Sequence, residues 1–403
     1  MKRQMLYLFV SSFSILCIGF GLFPLLPVYA SKFGASPTQV GIYLALVYVA
    51  ITLGTMLAGW LSGKVSRRLM LMLAGFSGAL ALALLGQATA LWQVVFLTGH
   101  VWFTGGIGLA NIDVLTGLHT TQANRGKMFS WIALASPLGA IIGSLVVGQL
   151  VEWKGYPMMF TVMAAEYAIW PMIALLLREP EARLPRSNQS TLTAGASAGP
   201  NRAFHFLLAS LFLSAMTISV NRMGSSLTMK ELGYSAGAIS GANVIGGLVT
   251  IPIVLWFGKL SDRLGRKMFL LSGYLLAALG GLTLVIGGNA LWHYWLVAAV
   301  TLISRSISAS LASALATDVL PTAALGRRLP WVSAVTWIAG IIGFAGSGVV
   351  IDLMGTASLF AIAAAMSLAA LVFASPLPGA MPALGRWRFT SSAPINPAPC
   401  SGD

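Results

Sequence analysis

Apolar residues run along this chain in blocks of about 20, each long enough to cross a bilayer core as a helix. Six such runs are placed near 5–30, 40–62, 69–88, 91–118, 128–151 and 157–177, and six more near 204–229, 238–257, 268–287, 291–317, 330–351 and 355–375. Between the two sets lies a polar stretch, 178–203, opening R-E-P-E-A-R-L-P-R-S-N-Q-S-T. The end, 376–403, holds six prolines and few large apolar residues, and is expected to be a disordered tail. The pattern predicts an all-α membrane protein with twelve transmembrane helices in two six-helix bundles, 1–177 and 204–375, joined by a cytoplasmic central loop. Lys2-Arg3 before the first run and Val28-Tyr29-Ala30 after it also fit a cleaved signal peptide. The run is too long for a 7–15-residue signal core, however, and it has a counterpart in the second half.

The two halves are related. Gly258–Lys267 reads G-K-L-S-D-R-L-G-R-K, and 199 residues earlier Gly59–Arg68 reads G-W-L-S-G-K-V-S-R-R. Lys32-Phe33-Gly34-Ala35-Ser36 aligns with Glu231-Leu232-Gly233-Tyr234-Ser235 at the same offset. At an offset of 200, Gly148, Glu152, Gly155 and Phe160 meet Gly348, Asp352, Gly355 and Phe360, and at 205 Asp113 meets Asp318. Small drifts in offset are loop-length changes on a shared plan. Six-helix halves repeated in parallel imply a pseudo-two-fold along the membrane normal, with a site at their interface.

Composition agrees with a lipid-dissolved chain: 57% hydrophobic, 8% charged, mean hydropathy +0.84. Soluble proteins carry about 25% charged residues. The net charge of +14 would suit nucleic acid, but its placement does not. With the N-terminus inside, nineteen of the 24 Lys and Arg fall in cytoplasmic segments and only Lys32, Lys154 and Lys230 in outer loops. That asymmetry is the topogenic signal of a multi-pass inner-membrane protein with both termini cytoplasmic. Cys17 and Cys400 do not suggest a disulfide, and no metal-type spacing occurs. The absence of a G-x-x-x-x-G-K-[ST] loop leaves ATP-driven transport by this chain unsupported. No Ser-His-Asp set falls at one depth, so an enzyme is not expected, and neither is a cofactor.

The loop motif at 258–267, its decayed copy at 59–68 and the two-times-six layout resemble the major facilitator superfamily over essentially the whole chain. The first span, Gly19-Phe20-Gly21-Leu22-Phe23-Pro24-Leu25-Leu26-Pro27-Val28-Tyr29, is similar to the twelve-span drug:proton antiporters. The resemblance implies alternating access, with a cytoplasmic latch built from Gly258, Asp262, Arg263, Gly265 and Arg266. It also implies acidic partners at the ends of spans 4 and 10, pairing Asp113 with Arg67 or Arg68 and Asp318 with Arg266. Gly63 and Ser66 depart from the motif in the first half, which predicts a looser latch there; the alternative is that both loops only set topology.

Charged residues at mid-bilayer cost roughly 2.5–3.5 kcal/mol on insertion scales and therefore mark cavities or partners. Four ionisable residues lie deep: His100, Glu166, Arg222 and Arg305. The resemblance puts spans 1, 4, 7 and 10 around the cavity, so Arg305, Arg222 and His100 are candidates for substrate or proton contact, with structural pairing, snorkelling and plain packing as their respective alternatives. Glu166 is the one carboxylate in the middle of a span and a candidate proton carrier, or else the partner of a local hydrogen bond. Asn111, Asn243, Trp102 and Trp337 are further candidates for the lining. Small-residue stripes, Ala50-Gly54-Ala58-Ser62 and Ser136-Ala140-Ser144-Gly148, suit helices that slide across the halves or simply pack within one.

The expectation is a monomeric secondary transporter moving a small molecule through the bilayer, by proton-coupled efflux of amphipathic compounds. Uptake or exchange of a small organic anion or sugar is the alternative, and a non-transporting receptor or scaffold a third.

Overall fold

A computed structural model describes residues 2–120, 125–177, 202–320, 324 and 328–377; at 2, 125–127, 254–264 and 310 it describes the backbone alone. The expected central loop and tail fall outside the described residues except at their edges. Among the described residues the chain is helical throughout, with one isolated bridge, Ser62 to Val65, in the first motif loop.

The helices are α1 (Lys2–Leu22), α2 (Leu26–Ser31), α3 (Pro37–Leu61), α4 (Arg67–Leu85), α5 (Leu91–Leu118), α6 (Arg125–Ala133), α7 (Ala135–Tyr167), α8 (Ile169–Ala174), α9 (Arg202–Glu231), α10 (Ala236–Leu264), α11 (Arg266–Gly287), α12 (Leu291–Val319) and α13 (Pro330–Ala374). Prolines account for the interruptions. A proline removes the bond to the carbonyl four residues back. Pro27 so ends α1 near Phe23, Pro137 separates α6 from α7 at Leu134, and Pro171 separates α7 from α8 at Ala168.

Among the described residues, ten helical segments are long and apolar enough to cross a membrane. Two of them, Met128–Ala174 and Pro330–Ala374, run to 47 and 45 residues, about twice what one crossing needs. Each holds one residue with non-helical backbone: Gly155 at φ 77°, ψ 177° and Gly355 at φ 79°, ψ 174°. That region is open essentially to glycine alone. The repeat seen in the sequence is thus a repeat of backbone geometry.

The core is divided unevenly. One buried cluster takes in the N-terminal bundle and continues through Val220, Met223, Leu227, Phe344, Leu359 and Phe360 of the C-terminal one. A second, with Phe204, Leu211, Phe269, Tyr274, Ile307 and Leu315, belongs to the C-terminal bundle alone. Its members lie toward the ends of α9, α11 and α12 nearest the basic motif loops. The bundles therefore share a core at the face opposite those loops and have separate cores near them.

Glycines permit the shared contact. A Cβ on Gly41 would come 2.5 Å from the Phe344 carbonyl oxygen, and one on Gly148 would come 3.0 Å from Gly237 Cα. The Gly148 stripe therefore packs across the bundles, although Ser144 in the same stripe bonds the Phe20 carbonyl at 3.3 Å within its own. The Gly54 stripe lies against the Phe103 backbone, inside the N-terminal bundle.

Candidate functional site

Two cavities meet at Arg305. The first, of about 540 Å³, lies among α1, α9, α10 and α12 and is lined by Arg222, Arg305, Asn221, Asn243, Thr301 and Ser225 together with apolar Phe23, Ile239 and Val297. The second, of about 870 Å³, lies toward the basic motif face, with Tyr48, Ser214, Ser308, Ser333, Thr336 and Trp337 in its wall. Arg305 and Ile218 line both.

Both arginines rest on aromatic rings of the first span. The Arg222 guanidinium carbon is 3.6 Å from the centroid of Phe23, and that of Arg305 is 4.9 Å from Phe20. Such contacts are worth about 0.5–2 kcal/mol and leave the guanidinium edges free to donate. Arg222 also donates to the Tyr48 hydroxyl at 3.4 Å. Tyr48 packs edge-on against Trp337 and Phe344, at 5.5 and 5.0 Å between centroids. No described carboxylate lies within ion-pair distance of either arginine; the one ion pair among the described residues is elsewhere. Two cations thus face a space with no anion among the described residues. The Asn221 side-chain oxygen and the Ser225 hydroxyl, also in the first cavity, are buried without partners.

Other candidates fall in different places. Asn243 lines the first cavity and donates to the Phe20 carbonyl at 3.1 Å, crossing between bundles. Trp337 lines the second. Trp102 lines a separate, mostly apolar cavity of the N-terminal bundle. His100 lines neither arginine cavity; its ring lies 6.4 Å from that of Phe103. Asn111 donates to the Ile107 carbonyl one turn back at 2.9 Å, an intrahelical bond rather than a cavity contact. Glu166 sits away from the arginines, against α1, where Ser14 donates to its backbone carbonyl at 3.2 Å and its carboxylate Oε2 is buried without a partner. Trp92, Trp153 and Trp292 are exposed, as an interfacial belt requires. Trp295 donates through its indole N–H to the Ala238 carbonyl at 3.1 Å.

Of the residues expected in the latch, Arg266 and Asp318 are paired. Arg266 donates to both oxygens of Asp318, at 3.1 and 3.0 Å. The pair joins the start of α11 to the end of α12, so it ties two helices of one bundle rather than bridging the halves. Gly265 turns the chain before α11 at φ 94°. Gly258, Asp262 and Arg263 lie on the α10 backbone, and their side chains are outside the described residues. In the first half Asp113 makes no ion pair with Arg67 or Arg68; Arg67 donates to Ser62 at 3.0 Å, across the turn that Gly63 makes.

Sequence reasoning found Arg222 and Arg305 from their depth. It missed Tyr48 and Phe23, whose aromatic side chains are ordinary in an apolar helix. It also missed the hydroxyls of the second cavity, because serines spaced along a span carry no signal until the helix facing is known.

The chain is similar to curated transporters along most of its length. It is 24% identical over 363 residues to multidrug resistance protein MdtG of Proteus mirabilis, covering 85% of this chain and 87% of that one. To the MdtG of Yersinia enterocolitica it is 22% identical over 275 residues, 64% of this chain and 65% of that one. Among solved structures, a D-xylose–proton symporter superposes with a TM-score of 0.72 at 16% identity, covering 93% of this chain and 97% of the other, which shows a shared fold. The profile of the Major Facilitator Superfamily matches residues 8–304 and 207–386. With its two helical bundles, its duplicated basic loops and its cavity between the halves, the chain belongs to the major facilitator superfamily and is a membrane transporter, not an enzyme.

Proposed function

We propose that this transporter exports amphipathic compounds by alternating access, drawing on the proton gradient, and that the structure is its cytoplasm-open state. The basic motif loops lie with the segments that carry nineteen of the 24 Lys and Arg, so on this reading they face the cytoplasm of a plasma or inner membrane, with both termini on that side. Dividing the two double-length segments at Gly155 and Gly355 gives twelve crossings.

The observation that carries the reading is the pair of cavities joined at Arg305, with apolar walls on one side and arginines and hydroxyls on the other. An amphipathic solute matches that division. The similarity to proteins named for multidrug resistance supports export in particular. Glu166 is the group proposed to carry the proton, since its carboxylate is buried, lacks a donor at Oε2 and lies in the bundle that moves against the arginines.

A second reading, uptake or exchange of a small organic anion, is favoured by two arginines that no described carboxylate balances. Flux of an amphipathic dye and of a dicarboxylate in proteoliposomes, with and without an imposed pH gradient, separates the two. Export predicts that dye flux follows the gradient; exchange predicts dicarboxylate flux that ignores it. Under either reading Arg305→Ala removes a charged hydrogen bond worth about 1.5–3 kcal/mol, weakening apparent affinity about 10- to 150-fold. Transport at the parental level would remove Arg305 from the site.

A further inference from the structure

At the face opposite the motif loops the bundles are tied twice, by one device used in both directions. Glu152, in the α7 turn just before Gly155, accepts through Oε1 the backbone N–H of Gly237 at 2.8 Å. Gly237 is the second residue of α10, in the other bundle. Asp352, in the α13 turn just before Gly355, accepts through Oδ2 the backbone N–H of Thr38 at 2.9 Å and also the Thr38 hydroxyl. Thr38 is the second residue of α3, again in the opposite bundle. The acceptors are 200 residues apart in sequence and the donors 199.

The chemistry suits the geometry. The first N–H groups of a helix have no partner inside it and carry the positive end of its dipole, so a carboxylate is favoured there. One turn before each carboxylate stands a glycine, Gly148 or Gly348, against the very turn that is gripped. A Cβ on Gly148 would come 3.0 Å from Gly237 Cα, and one on Gly348 would come 2.6 Å from Thr38 Cα. Gly237 has the same reason to lack a side chain, since its Cβ would lie 2.7 Å from Glu152 Oε1. Hydrogen bonds from Ser235 and from the Gly237 amide hold the Glu152 carboxyl below the usual carboxylate range, so it is ionised at neutral pH. Neither contact stabilises its own bundle. Both bundles would keep every internal hydrogen bond with the pair undone.

We propose that Glu152 and Asp352 form a paired outer clasp, each carboxylate gripping the first turn of a helix in the other bundle, which biases the transporter toward its externally closed state and must release for the cavity to open outward. The inference rests on the alternating-access reading above and adds to it two positioning residues that touch neither cavity.

The test is a distance measurement across the outer face that requires no substrate. In the full chain with Cys17 and Cys400 replaced by serine, spin labels at Trp153→Cys and Leu232→Cys report on the two bundles in nanodiscs. Each of Glu152→Gln and Asp352→Asn should move the closed-to-open ratio about two- to five-fold toward open, the usual range for an anion at a helix N-terminus. The double variant should give about the product of the two shifts, the helices gripped being different. Glu152→Asp should recover part of the ratio. Glu231→Gln, an exposed acid on the same face outside the clasp, should leave it unchanged. Single variants that keep the parental distribution would overturn the clasp, as would a shift of equal size from Glu231→Gln. Both results are readable whether or not any solute is exported, so a failure of the clasp is distinguishable from a failure of the transport reading.

Discussion

Arg222 and Arg305 sit where a charge is least welcome, and the residues around them show how the expense is met. Each guanidinium face lies on a phenylalanine of the first span, and Arg222 reaches Tyr48 in span 2, so both cations of the C-terminal bundle are seated on the N-terminal one. On the proposed function, rocking of the bundles would change the surroundings of both arginines and so couple binding to conformation at these two side chains. Their place beside a cavity was legible from depth alone, because an arginine in an apolar run is too costly to bury without a cavity or a partner. His100 and Asn111 had the same apparent depth but are not in the walls of the two arginine cavities: one lies beside Phe103, and the other bonds its own helix. Glu166 yields a prediction at this scale. Glu166→Gln keeps the shape and loses the titratable proton, so it should abolish flux driven by a pH gradient while leaving counterflow of pre-loaded substrate. Gradient-driven flux at the parental rate in proteoliposomes would show that the proton is carried elsewhere.

The elements repeat more faithfully than the side chains do. In the N-terminal motif loop Gly63 stands where the second loop has Asp262, and Asp113 lacks the partner that Asp318 has, yet the turns at Gly155 and Gly355 agree within a few degrees in φ and ψ. Backbone geometry at those turns fixes how spans 5 and 6, and 11 and 12, return through the bilayer. A side chain at such dihedrals costs about 1–3 kcal/mol. Gly155→Ala and Gly355→Ala should each lower the midpoint of thermal unfolding in detergent, whereas Gly346→Ala, on α13 with open space around its Cβ position, should not. Equal midpoints for all three would mean that the turns relax freely. Hydropathy alone located the apolar runs, which the described residues fold into ten long helical segments. It could not show that the fifth and sixth runs, and the eleventh and twelfth, each meet at a sharp turn on one glycine, because a glycine between apolar blocks reads the same whether it makes a loop or a sharp turn. Nor could it show that Arg266 and Asp318 tie one bundle internally, since pairing across or within halves depends on which helix ends are neighbours.

At the scale of the whole molecule, the division of the core decides which way the cavity opens. A continuous apolar cluster holds the bundles together at the face opposite the motif loops, and the two carboxylate contacts lie on the same side. Toward the motif loops the C-terminal bundle has a core of its own, and the larger cavity, with Ser313 and Thr336 in its wall, lies on that side, which the proposed orientation places in the cytoplasm. Water and solute should therefore reach Arg305 from the cytoplasm and not from outside. In a background with Cys17 and Cys400 replaced by serine, Ser313→Cys and Thr336→Cys should react with a membrane-impermeant maleimide in inside-out vesicles. Ser226→Cys, in the wall of the outer cavity, should resist the same reagent applied to right-side-out vesicles. Adding Glu152→Gln and Asp352→Asn to the Ser226→Cys chain should then raise its reactivity from outside and lower that of Ser313→Cys from inside, because one rocking equilibrium controls both openings. Reactivity that rose on one side with no fall on the other would describe a local loosening of the outer helices, and the two bundles would not be moving as rigid halves.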